Sequence, residues 1–485
     1  MGKRSLRTRR LLPIYYFTGS YMRQAAILFL VPLFLFSCMT YYQKNSKFNE
    51  HFQAGNMEEA YKYISRDVKK HRKDKLLVLL NRGMVAAMLG NYAESNLFFE
   101  DAYRLADDMQ KNYVNEGLAL LTNPTLVPYK GESFELLFIH YYKALNFLRM
   151  NDREKALVEC RRMNIELNKL ESKYKSDRKF KRDAFIHLLM GLIYDINGDI
   201  NNAFIAYRNS YQIYKEDYKG LFGMEPPLQL KKDLLRTAYI MGFLSDVAFY
   251  EKEFGFSYVH SGKPEAEAVF LWQSGLGPIK SEWSINFTVM RPAQGSNNVV
   301  FVNNELGMVY TFQMNDQQYQ SSGLKDLQVI RIAFPTYIKR EPVFTRGVVK
   351  VGNKQYPLEL TEDVEQIAVK SLQDRMHIEL GTSLLRFALK KAAELKLRQQ
   401  NSDLGAALGI LNAVSEKADT RYWSTLPNSI HYARIPLSEG RQDVRLQTFT
   451  TSGSSREIHY EYDVVKGTTI FETFYSLETK APGSF

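Results

Sequence analysis

A chain of 485 residues, 45% hydrophobic and 24% charged, has the composition of a folded globular protein and the length for two or three domains, which excludes a disordered or fibrous chain. Its net charge of +11 falls to +5 without residues 1–37, which carry six basic and no acidic side chains, and so modest a surplus makes no case for nucleic acid. Two cysteines and eight scattered histidines (51, 71, 140, 187, 260, 377, 431 and 459) exclude a disulfide framework and show no ligand spacing for a metal; no cofactor is expected.

The first element is a leader. Met22 and Arg23 precede an apolar run from Ala25 to Phe36, the layout of a secretory signal and too short for an ordinary membrane span. Residues 1–21 either extend its basic start or lie upstream of a start at Met22. The run ends in Leu35-Phe36-Ser37-Cys38, which resembles a bacterial lipobox: apolar at −3, small at −1, and cysteine as the first mature residue. The resemblance implies a diacylglycerol thioether on Cys38 and removal of residues 1–37. Met39 is not the aspartate that retains many such proteins in the inner membrane, and the first acid is Glu50. The expectation is an outer-membrane lipid anchor facing the periplasm, a lipidated tether over 38–47, and Tyr41 and Tyr42 at the membrane interface.

Residues 48–258 repeat themselves. "LLVLLNRGMVAAMLGNYAESNLFFEDAY", "FIHLLMGLIYDINGDINNAFIAYRNSY", "YYKALNFLRMNDREKALVECRRM" and "QAGNMEEAYKYI" place small residues where paired helices cross and a corner residue at Gly55, Gly90, Asn151 and Gly198. The corners are 35, 61 and 47 residues apart, so a tetratricopeptide-like helical solenoid with extra loops is predicted. Cys160 falls at a core position of a second helix, a buried structural thiol. Of twelve positions expected on the concave face, only Asp195 is neither apolar nor tyrosine. A stripe of Leu80, Met84, Phe138, Tyr141, Leu145, Leu188 and Leu192 is too apolar to stand open in water. It is a candidate protein-binding groove, filled either by a partner or by this chain, through residues 226–255 or the start of the C-terminal half.

From residue 264 onward the period becomes two. "EAVFLWQ", "SINFTVM", "NVVFVNN", "MVYTFQM", "QVIRIAFP", the "VVKVGNKQYPLEL" hairpin, "HYARIPL", "VRLQTFT", "EIHYEYDVV" and "TIFETFYSL" read as strands. Between them, at about 361–417, two helical stretches are predicted, the second over 404–417. The fold class is therefore α+β: a helical solenoid followed, over 264–485, by a mainly antiparallel β domain, simplest as a sandwich, with an inserted helical pair.

"SGLGPIKSE" (274–282), "FPTYIKREP" (334–342) and "KADTRYWSTLPNSIHYARIPLSEG" (417–440) resemble an uncharacterised family of bacterial envelope lipoproteins. Its members join a tetratricopeptide-like region to a β-rich C-terminal half, and their genes often neighbour lipoproteins related to penicillin-binding-protein activators and curli-secretion pore proteins. The match is carried best by Asp419, Arg421, Trp423 and Pro427, and a fold role is expected for these four. Arg421 would pair with Asp419 or a helix C-terminus, and Trp423 would pack the insert onto the sheet.

No nucleophile elbow, dinucleotide loop, Walker loop or H-E-x-x-H occurs. Ser322 and Lys325 share a spacing with penicillin-recognising enzymes but lack the companion motifs. The acidic pairs Glu58-Glu59, Asp107-Asp108 and Glu362-Asp363 are expected at helix caps or in solvent. The reading is a non-catalytic, lipid-anchored scaffold binding other envelope proteins, in cell-wall synthesis regulation or export assembly. The alternative is an envelope enzyme or a glycan- or solute-binding lipoprotein acting through the β-rich half.

Overall fold

Close helix crossings need a missing side chain, and the N-terminal half supplies it. The computed structural model describes residues 39–66, 72–111, 125, 127–173, 180–260, 262, 264–290, 298–314, 317, 324, 328–400 and 417–481. The leader with Cys38, the pair Ser322 and Lys325, and residues 404–416 of the expected second insert helix lie outside them. Helices α1 (Tyr41–Lys44), α2 (Ser46–Gln53), α3 (Met57–Ser65), α4 (Lys75–Met88), α5 (Tyr92–Lys111), α6 (Ser133–Arg149), α7 (Arg153–Lys173), α8 (Ala184–Ile196), α9 (Ile200–Ile213), α10 (Lys219–Phe222), α11 (Leu228–Ile240) and α12 (Leu244–Phe254) form the first half. From α2 to α9 they pair as helical hairpins, and α11 with α12 adds one more. Each corner residue has positive φ: Gly55, Gly90, Asn151, Gly198 and, in the last pair, Gly242. A Cβ on Gly83 would sit 2.7 Å from the Phe99 ring, and one on Gly191 would collide with Tyr207; only glycine lets α4 meet α5 and α8 meet α9 this closely. Cys160 is fully buried on α7, and burial raises its thiol pKa.

Every strand expected from the alternation is present: β1 (Ala266–Ser274), β2 (Ile279–Met290), β3 (Asn298–Asn303), β4 (Met308–Gln313), β5 (Val329–Ile338), β6 (Phe344–Val351), β7 (Lys354–Asp363), β8 (Ser429–Leu437), β9 (Gly440–Thr450), β10 (Ser455–Val464) and β11 (Thr469–Ser476). They form a seven-stranded sheet of order β10-β9-β6-β7-β8-β1-β11 and a four-stranded sheet of order β4-β3-β2-β5. One pair, β1 with β11, is parallel. The sandwich expectation is corrected, because the two sheets have separate cores. The seven-stranded sheet curls until its end strands meet through side chains: Tyr462 donates to Glu472 at 3.2 Å, and Arg456 pairs with Glu478. Phe270, Trp272, Val349, Ile435 and Leu446 fill its inside. The four-stranded sheet is covered instead by one long helix, α13 (Val364–Gln400), through Leu372, Leu380, Leu384 and Ala388.

β1 shows how the halves join. Ala268, Phe270 and Trp272 face the inside of the curled sheet, while Val269 and Leu271 belong to the same apolar core as the helices. Arg434 of β8 adds a buried clamp, pairing with Asp195 of α8 at 2.7 Å, Asp233 of α11 at 2.9 Å and Glu267 of β1 at 2.7 Å. That explains the one acid among the twelve stripe positions. Helices and strands are therefore not separate domains: residues from Thr40 onward form one compact unit. The tether is also shorter than 38–47. Thr40 and Gln43 cap α1 reciprocally, the Tyr41 amide donates to Thr420 Oγ1 at 2.9 Å, and Tyr41 is buried edge-on against Tyr422 rather than at an interface. No helix among the described residues is long and apolar enough to cross a membrane.

Candidate functional site

Leu80 and Met84 on α4, Phe138, Tyr141 and Leu145 on α6, and Leu188 and Leu192 on α8 are all buried, none more than 3% exposed. They share a core with Val269 and Leu271 of β1, Ile430 and Tyr432 of β8, Trp423, and Ile367 of α13. The stripe is not an open groove for a partner, because the strand half of the same chain fills it. Residues 226–255 are not the filler: they form α11 and α12, which extend the helical row past α9. At the seam the Tyr142 hydroxyl donates to Gln273 Oε1 at 2.7 Å.

The three stretches that carry the family resemblance, far apart in sequence, meet in one place. Arg340 is 1% exposed and donates from Nε to the Gly277 carbonyl at 2.6 Å. The Gly277 amide donates to Leu426 O at 2.8 Å, the Ala418 amide to Glu282 at 2.8 Å, and Asn428 Nδ2 to Arg340 O at 3.2 Å. Arg421 pairs with Asp419 through two bonds of 2.8 and 2.7 Å, then reaches Val127 O at 2.9 Å and Asp74 at 3.3 Å. Trp423 packs onto the helices rather than joining insert to sheet, with ring centroids 5.8 Å from Phe99 and 5.7 Å from Tyr142. Its amide donates to Glu135 at 2.8 Å and its indole to Thr425, which bonds Asn81 of α4. Pro427 is buried beside them. The motif is a seam between helices and strands.

Beside this seam lies a cleft of about 390 Å³ lined by Glu132, Lys280, Arg375, Glu379, Asp419 and Arg421, among others. Each of its three acids, Glu132, Glu379 and Asp419, pairs with an arginine of the lining. Lys280 reaches Glu132 at 2.8 Å and Arg375 pairs with the same carboxylate. Burial opposes ionisation of Glu132, but Arg375 and Lys280 outweigh it and hold its pKa far below the usual range. Glu135 has no such cation: burial, then the charge of Glu132, raises it to about 7. The charges lock the loop before α6 to β2 and α13, and among the described residues of the lining no nucleophile stands paired with a base. Among the described residues no cluster of His, Cys, Asp or Glu is arranged to hold a metal.

Of the acids placed from sequence at caps or in solvent, Glu362 is a correction. Glu362 is fully buried, not capping or solvated; Asp363 alone takes the cap of α13, accepting from the Gln366 amide at 2.9 Å. The register of β7 against β8 shifts between Leu360 and Glu362, and this bulge turns both Thr361 and Glu362 inward. The Tyr218 hydroxyl lies 3.2 Å from the Glu362 carboxyl. Burial, then the nearby Asp183, raises Glu362 well above the usual carboxylate range.

Neither a protein-family model nor a curated relative matches the chain. Among solved structures, MamA from Desulfovibrio magneticus RS-1 is 15% identical over 43% of this chain and 89% of its own, with a TM-score of 0.28. MamA AMB-1 is 12% identical over 44% and 96%, with a TM-score of 0.27. A TPR2AB domain of yeast Sti1, in complex with pHSP90, is 15% identical over 43% and 75%, with a TM-score of 0.20. Such low TM-scores carry no argument; the tetratricopeptide-like description rests on the helix pairs and their glycine corners.

Proposed function

We propose that this chain is a non-catalytic, lipid-anchored scaffold of the bacterial cell envelope, held through Cys38 to the periplasmic face of the outer membrane. The observation that carries the reading is an exchange of faces. The solenoid's inner face is taken up by the chain's own strands, while its second helices expose apolar residues in successive layers: Leu97 on α5 (67% exposed), Ile165 on α7 (52%) and Ile205 on α9 (36%). Exposed apolar side chains on successive helices suit protein contacts. The partners are other envelope proteins, in cell-wall synthesis regulation or export assembly.

A photo-crosslinking amino acid at Leu97 or Ile205, activated in intact cells, should give discrete protein adducts that are absent when it is placed at exposed Glu461 of β10. Adducts no more frequent at the helical sites than at Glu461 would sink the scaffold reading.

A further inference from the structure

The open side of the solenoid contains a second feature that apolar exposure alone does not explain. On α8, Leu188, Leu192 and Asp195 face the strands, while His187, Met190 and Tyr194 recur three and four residues apart along another face. Over that face, between α7 and α9, lie two cavities of about 240 and 370 Å³ that share Asn164, His187 and Asn209. Together they follow α7 from Arg161 to Glu171 and α9 from Asn202 to Gln212, roughly 15 Å of helix. They form one groove with α8 as its floor.

Three properties of this groove point to a ligand. The carboxamides of Asn164 and Asn168 on one wall, and of Asn209 and Gln212 on the other, are exposed or half-buried and bond no other described group, so they are open to a ligand in place of water, whereas Asn202 is held by Asp199 at 2.7 Å. In the floor, His187 Nδ1 is buried with no hydrogen-bond partner among the described residues, an arrangement that costs free energy until something satisfies it. Burial holds the imidazole pKa down at about 4, so the ring is neutral near pH 7 and offers one donor and one acceptor. Between the polar groups stand Ile165 and Ile205, both exposed, over the buried Met190.

We infer that this groove binds a partner polypeptide in extended conformation, reading its backbone through the carboxamides and seating alternate side chains on the aliphatic residues. A carboxamide carries one donor-acceptor face, the same pair that a peptide group presents. Asn164 and Asn168, four residues apart on a helix, are spaced by about 6 Å along α7, close to the ~6.8 Å over which an extended chain repeats the same side. A groove of this length accommodates about four or five extended residues. Sugars favour aromatic ring faces, and the groove offers one tyrosine against Ile165, Leu167, Met190, Ile205 and Ile213. This inference rests on the scaffold reading and names the surface it uses.

The test is a phage-displayed library of random linear peptides, each ~12 residues, panned on the full-length chain in detergent. Enriched peptides are then measured by fluorescence anisotropy against Asn164→Leu/Asn209→Leu and against Ile165→Arg, after thermal melts establish that both variants fold. Expected are enriched peptides that bind about tenfold or more weakly to each folded variant, and a similar loss when alternate backbone amides of the peptide are N-methylated. Should one variant not fold, the other and the N-methylated peptides carry the result. No enrichment, affinity indifferent to the variants, or affinity indifferent to N-methylation overturns the proposal, as does binding of N-acetylchitotetraose that the variants abolish. If it is overturned while crosslinks at Leu97, which lies outside the groove, persist, the scaffold reading stands without it. If those crosslinks fail while the peptides bind as expected, the groove stands and the scaffold reading falls.

Discussion

Arg421 and Glu362 are both buried, and only one has a counter-charge. Arg421 is surrounded by Asp419, Asp74 and carbonyl oxygens, and the short spacing to Asp419 made that pair legible in the sequence. Glu362 has a tyrosine hydroxyl and a second acid, Asp183, which burial raises to about 7. No sequence spacing reveals that, because a one-residue bulge decides which of Glu362 and Asp363 turns inward. The consequence is a pH dependence of definite sign. A carboxyl whose pKa is higher folded than unfolded holds its proton better in the folded state, so its stabilising contribution is complete below the unfolded pKa and is lost as pH rises through the folded one. The buried histidines His187 and His431, both lowered to about 4, oppose this slope only below the ordinary histidine range, and Asp183 and Glu135, both raised to about 7, add to it around pH 7. As pH rises above the ordinary carboxylate range the chain should therefore lose stability through its buried carboxyls, Glu362 among them, each by at most about 1.4 kcal/mol per pH unit. Glu362→Gln should flatten that slope in denaturant melts above that range, and an unchanged slope would place the titration elsewhere.

At the scale of elements, what was legible was local. Small residues at helix crossings and corners marked the pairs, and alternation or short β-branched and aromatic runs bounded by turn residues marked the strands, since both signals live within about ten residues. What the elements pack against was not legible. Val269 and Phe270 are equally apolar, yet one faces the helices and the other the inside of the curled sheet; partners that distant leave no periodic trace. Trp423 likewise gave no sign that its neighbours would be Phe99 and Tyr142. Trp423→Ala removes those contacts and leaves a hole at the seam, and a loss of about 3–5 kcal/mol in chemical unfolding is expected; a loss below about 1 kcal/mol would mean the seam collapses around it. Leu145→Asp tests the filled inner face more severely, placing a carboxylate where α6 is 3% exposed. It should cost at least about 4 kcal/mol and lower the melting temperature of helices and strands together. A variant that stays as stable as the parent would contradict an internally filled face.

For the whole molecule, a shared core and an early start combine. The helical row and the curled sheet contribute to one apolar cluster, so unfolding of either exposes apolar surface of the other. That cluster reaches back to Tyr41, whose amide is bonded to Thr420 far along the chain. Only Met39 separates Cys38 from the capping Thr40, a reach of at most ~7 Å when extended. With a lipid on Cys38, the folded body would have almost no slack from its anchor, and partners would have to be reached within a thin layer beside the bilayer. A single myristoyl-type chain holds only reversibly, whereas two chains anchor stably, so a diacylglycerol thioether would account for firm attachment without a spanning helix. Cys38→Ser should move the chain from the membrane fraction to the soluble one, or leave it as an unprocessed precursor, without altering the melt of the body from Thr40 onward. Intact-mass measurement should show residues 1–37 absent and Cys38 acylated in the parent protein. An unmodified Cys38 with residues 22–37 still attached would remove the anchor. A linker of about ten glycine and serine residues inserted after Met39 reaches ~35 Å further and separates anchoring from closeness. Lipidation and melting should be unchanged, while crosslinks at Leu97 to membrane-embedded partners should fall; crosslinks of undiminished yield would mean that the short reach has no part in selecting partners.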